Sequence, residues 1–116
     1  MKFVPRFRRK LKPAHFSERW IKLQKQCSTR KTWPLAINDA DNLVDEALKR
    51  RGFKGKTPGE RLVAAQHEFT DNGAVWFGHK FRNQLVGKDV RTIKKQDVMD
   101  ALTGFRQALK DLGALK

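Results

Sequence analysis

Between residues 93 and 112 the apolar side chains fall on one stripe: Val98, Ala101, Leu102, Phe105, Leu109 and Leu112. Steps of three, one, three, four and three follow the period of an α-helix and exclude a strand, whose faces alternate every second residue. Gly113 closes that segment. The same periodicity recurs upstream. Residues 33–51 place Trp33, Ala36, Ile37, Ala40, Leu43, Val44, Ala47 and Leu48 on one broad face. Thr32 stands at the N-cap position and Pro34 in the first turn. Asp39, Asp41, Asp45 and Glu46 precede Lys49, Arg50 and Arg51, the order that complements a helix dipole, and Gly52 sits where a C-terminal glycine belongs.

Three further helices complete the reading. Phe16, Trp20, Leu23 and Cys27 share a helical face over residues 14–29. Thr57-Pro58-Gly59-Glu60 is a capping box that opens a short helix over 58–69. The turn Thr70-Asp71-Asn72-Gly73 leads into a fourth helix over 74–87. No segment alternates as a strand does. The expected fold is all-α: a compact bundle of about five helices, mostly antiparallel, over residues 14–116, preceded by a flexible basic arm over residues 1–13.

Charge separates the two parts. The chain carries 26 Lys+Arg against 12 Asp+Glu, a formal net charge of +14. The excess is concentrated at the start, where Arg6, Arg8, Arg9, Lys10 and Lys12 lie close together and Glu18 is the sole acid before residue 32. Such an arm suits a polyanion, RNA ahead of DNA; the plain alternative is a solubilising leader. A lone cysteine, Cys27, has no partner for an internal disulfide and points to a reducing, cytoplasmic setting. The histidines His15, His67 and His79 are scattered, so no metal or other cofactor is implied. No apolar run reaches the roughly 18 residues of a membrane span, and the start lacks the apolar stretch of a secretory signal. Arg50-Arg51 and Lys94-Lys95 read as solvated helix ends. Trp20 and Trp33 read as core, and Trp76, off the main stripe, as a possible stacking surface.

The fourth helix carries two stripes. Ala74, Phe77, Gly78, Phe81 and Leu85 form the first; Val75, His79, Arg82, Asn83 and Val86 form the second. A helix apolar on two sides is covered from two sides, here by another helix, a second subunit or a substrate. On the second helix Asp41 lies beside Ile37, Val44 and Leu48, placed to pair with Arg82 across the bundle, and His79 has a structural reading as a partly buried side chain hydrogen-bonded to backbone or to Asp41.

Arg82-Asn83 late in this helix resembles the start of the R-N-x-x-x-H motif of HEPN domains. The polar run Asn38-Asp39-Ala40-Asp41-Asn42-Leu43-Val44-Asp45 is similar to the helix that faces that motif in the family. The tract from Trp33 to Leu112 resembles small bacterial proteins of HEPN-like type. The resemblance implies that Arg82 meets a phosphate, that Asn83 supports it, and that two copies of the motif meet in a homodimer. It also implies a histidine for proton transfer, and there this chain departs: the matching position is Gly87. The implied function is RNA or nucleotide binding with a degenerate ribonuclease motif, weak or inactive in catalysis. Two other readings stand beside it. One is a helical interaction or dimerisation module, toxin–antitoxin-like, without nucleic-acid binding. The other is a metal-independent endoribonuclease using Arg82 with His79 one helical turn away.

Overall fold

A computed structural model describes residues 10–116, and every described element is helical. The helices are α1 (Pro13–Lys25), α2 (Trp33–Arg51), α3 (Pro58–Ala64), α4 (Asn72–Gln84) and α5 (Lys95–Asp111). Short 3-10 turns lie at Gln26–Ser28, Arg30–Thr32, Gln66–Glu68 and Val90–Thr92.

The long second helix is central because its apolar face is widest. It packs against α1, α3, α4 and α5. Phe16, Ile37, Leu43, Leu48, Phe105 and Leu109 are fully buried around it. The most extensive helix contact is α4 with α5, and two glycines permit close approach there. A Cβ on Gly78 would lie 2.7 Å from the Phe105 ring, and one on Gly104 would lie 2.6 Å from the Ala74 carbonyl oxygen.

Helix ends follow local capping where a cap exists. Thr57 Oγ1 accepts from Glu60 N at 3.1 Å, and Glu60 Oε1 accepts from Lys56 N at 3.0 Å. Asp71 accepts from Ala74 N at 3.0 Å, so α4 begins at Asn72, earlier than its apolar pattern suggests. Gly52 (φ 92°) closes α2, with Phe53 N bonded back to Leu48 O at 3.0 Å.

Elsewhere tertiary contacts move the boundaries. The first helix ends at Lys25 rather than continuing to residue 29. Beyond it, side chains take up the last carbonyls: Ser28 Oγ donates to Lys25 O, Thr32 Oγ1 to Gln26 O and Trp33 Nε1 to Cys27 O. Thr32 occupies the N-cap position of α2, but its side chain makes no capping bond there; its hydroxyl faces the preceding helix end. The third helix stops at Ala64, leaving Val63 exposed and burying Phe69 beyond a 3-10 turn. Arg51 is not a solvated end residue. It is 4% exposed, and its guanidinium donates to Leu112 O and to Glu68 Oε1, each at 2.8 Å. The adjacent Arg50, Lys94 and Lys95 are exposed.

Candidate functional site

Two polar pairs with the same spacing face each other across α2 and α4. Asn38 and Asp41 lie three residues apart on α2, and His79 and Arg82 lie three residues apart on α4, so each pair occupies one helix face. The helices bring all four together. His79 Nδ1 lies 3.1 Å from Asp41 Oδ1 and 3.2 Å from Oδ2. Arg82 Nε donates to Asn38 Oδ1 at 2.9 Å, and Arg82 Nη1 donates to Asp41 Oδ2 at 3.2 Å.

The electrostatics follow from burial. Asp41 is 4% exposed, and desolvation pushes its carboxyl above the ordinary value of 3.8. The hydrogen bond from His79 and the charges of His79 and Arg82 pull in the opposite direction, while neighbouring Asp45 adds to the rise. An ionised Asp41 can only accept, so the proton of a neutral His79 sits on Nδ1 and the Nε2 lone pair is left over. The ring stands edge-to-face with Trp76, their centroids 5.7 Å apart. The Gly59 backbone lies alongside; a Cβ there would come 3.9 Å from His79 Nε2.

Arg82 differs from its buried neighbours. Its side chain retains 29% exposure. Nε and Nη1 are committed to α2, and Nη2 makes no hydrogen bond among the described residues. The result is a guanidinium fixed in direction with one open edge. One turn further along α2, Asp45 takes the Arg61 guanidinium at 2.7 and 2.9 Å, and Arg61 also donates to Gly55 O at 2.7 Å. This second pair ties the start of α3 to α2 and fixes the Gly59 backbone beside His79.

Of the residues singled out in the sequence, Asp41, His79 and Arg82 are brought together. Asn83 is exposed and makes no hydrogen bond to another described residue. Gly87 lies beyond the end of α4 with φ 73°, in the left-handed region, and nothing lies within 4 Å of a Cβ built there. The second stripe of α4 is covered from within the chain: Val75 and His79 are buried, whereas Val86, past the helix end, is 82% exposed. Lys10 and Lys12 are exposed, and Arg6, Arg8 and Arg9 lie outside the described residues. Asn38 enters the sequence reading only within the polar run that the resemblance sets facing the motif, with no bond of its own, and Arg61 carries no expected role. Asn38 shares the face of Asp41 at the i, i+3 spacing, the signal that could have found it.

Comparison of the chain with protein-family models, with curated proteins and with solved structures gives no match.

Proposed function

We propose that this chain is an RNA- or nucleotide-binding helical protein of HEPN-like type, in which Arg82 meets a phosphate and ribonuclease chemistry is weak or absent. The observation that carries the reading is the state of Arg82: oriented by Asn38 and Asp41, partly exposed, with Nη2 open, on a chain of net charge +14. A preoriented planar guanidinium suits phosphate oxygens better than a mobile ammonium does. Asp41 offsets part of its charge, so the bulk of the affinity falls to exposed bases such as Lys10 and Lys12 and to the basic run Arg6, Arg8 and Arg9. Catalysis lacks the proton-transfer histidine of the motif. General acid–base help is worth about 10²–10⁴-fold in rate, and a glycine at position 87 supplies none.

The test is fluorescence anisotropy of a labelled single-stranded RNA with the full chain at two salt concentrations. Binding is expected to weaken with salt, by about 0.7 in log–log slope for each phosphate neutralised. Changing Arg6, Arg8, Arg9, Lys10 and Lys12 to Gln is expected to flatten that slope. Arg82→Lys keeps the charge and loses the planar fork with its bonds to Asn38 and Asp41; it is expected to lower affinity several-fold while the protein remains folded at the assay temperature. Equal affinity in Arg82→Lys assigns Arg82 a structural role alone. No binding at low salt sinks the proposal and leaves the interaction-module reading.

One observation favours a second reading, the endoribonuclease. His79 lies one turn from Arg82 with Nδ1 against the Asp41 carboxylate, which leaves Nε2 as the ring atom for proton exchange, the arrangement that acid–base work needs. RNA cleavage in the same samples, lost in both His79→Gln and Arg82→Lys, would establish it.

A further inference from the structure

A groove runs between α1 and α5, on a face built from residues other than the Asp41–His79–Arg82 cluster. Two cavities, of about 490 and 250 Å³, share Trp20, Gln24 and Arg106 as lining residues and so form one continuous depression. Its apolar surface includes Ile21 and Met99, 56% and 49% exposed, which nothing among the described residues covers. Beneath it Trp20 is 6% exposed, and its Nε1–H is a buried donor without an acceptor. An orphaned donor of this kind is unfavourable and marks a place where an acceptor is missing.

Charge selects the occupant. The described residues that line the two cavities include Arg106 and Lys116 and no Asp or Glu. A basic segment is repelled there, which argues against the chain's own Arg-rich start. A second copy docked through the same face would bring two basic linings together with no acid from either. We infer that this groove receives an amphipathic helix of another protein, with an apolar stripe laid along Trp20, Ile21 and Met99 and acidic residues on its flank reaching Arg106. The groove shares no residue with the Asp41–His79–Arg82 cluster, although Pro13 and Ala14 at its end adjoin Lys12, and the inference stands whether or not RNA binds.

The experiment uses the full chain and a labelled Leu/Glu peptide of about 14 residues with a helical Leu stripe, about 21 Å long at 1.5 Å per residue. Controls are the same composition shuffled to remove the stripe and a Leu/Lys peptide that keeps it. The readouts are anisotropy and the Trp20 indole N–H resonance, assigned by Trp20→Phe. The striped acidic peptide is expected to bind at least about tenfold tighter than either control, a difference of about 1.4 kcal/mol, and to shift the Trp20 resonance. Ile21→Asp and Arg106→Glu, both at exposed positions, are each expected to lose most of that affinity with the melting temperature unchanged. Equal binding of the shuffled peptide reduces the effect to general charge attraction and overturns the proposal. Equal binding of the Leu/Lys peptide overturns the charge argument. Undiminished affinity in both variants places the peptide elsewhere and overturns the site. A Trp20 shift produced by single-stranded RNA in place of the peptide would reassign the face to nucleic acid.

Discussion

Gly104 tolerates no side chain, because a Cβ there would lie 2.6 Å from the carbonyl oxygen and 2.9 Å from the carbonyl carbon of Ala74, both backbone atoms that cannot step aside. Gly104→Ala is therefore expected to cost about 1–3 kcal/mol through overpacking, despite the better helix propensity of alanine, read as a lower urea midpoint. Gly78→Ala meets the Phe105 ring instead, and a companion Phe105→Leu is expected to recover part of the loss by making room. Asp41 gives a residue-scale prediction of another kind. Burial sets its folded pKa above 3.8, so over the interval between the two values the folded state keeps a proton that the unfolded chain has released. Its contribution to stability accordingly falls as pH rises through that interval, opposite in sign to a carboxylate held down by a salt bridge. Arg82 pulls the value down, so Arg82→Gln is expected to move the Asp41 carboxyl ¹³C titration midpoint further up. A midpoint below 3.8 in the unaltered protein would overturn this account.

At the scale of elements, local caps and distant contacts divide the control of helix ends. The short α3 depends on its capping box, and Thr57→Ala is expected to cost about 1 kcal/mol in urea melts. It is also expected to loosen the Gly59 backbone beside His79, visible as faster amide exchange in α3. The capping box, the α2 register and the α5 stripe were legible in the sequence because each is fixed by residues within one or two turns. The end of α1 was not: it depends on Thr32 and Trp33 reaching back to Gln26 and Cys27, a chain reversal that periodicity does not encode. The buried Arg51 was missed for a similar reason, since its carbonyl partner, Leu112, comes from the far end of the chain. The candidate site was partly legible. Spacing on each helix put His79 with Arg82 and offered Asp41 as a partner. Asn38 was named in the polar run without a bond of its own, because a polar side chain at the edge of an apolar face reads as solvated until the opposite helix is known. The helix α4 ends at Gln84 with Leu85 as its cap, so Val86 falls beyond the last helical turn and off the stripe on which uninterrupted helical geometry places it.

At the scale of the molecule, the charges are unevenly used. The acids of α2 are largely engaged: Asp41 with His79 and Arg82, Asp45 with Arg61 and Lys49, Glu46 with His15, Arg19 and Arg50. Many lysines, among them Lys22, Lys25, Lys80 and Lys88, stay exposed with no ion pair to another described residue. A chain at +14 then carries self-repulsion that opposes the compact state, while the half-buried α2 pairs are poorly screened. Added salt weakens the repulsion more than the pairs, because the Debye length shrinks from about 30 Å at about 0.01 M to about 10 Å at about 0.1 M, shorter than the distance across a small domain. The melting temperature is therefore expected to rise as NaCl is increased over that range, and to rise further with sulfate or phosphate at equal ionic strength, since multivalent anions gather at clustered cations. A fall over the same range would mean that screening of exposed pairs such as Lys49–Asp45 outweighs the relief of repulsion, and that the positive charge is spread too thinly to form a polyanion-binding surface.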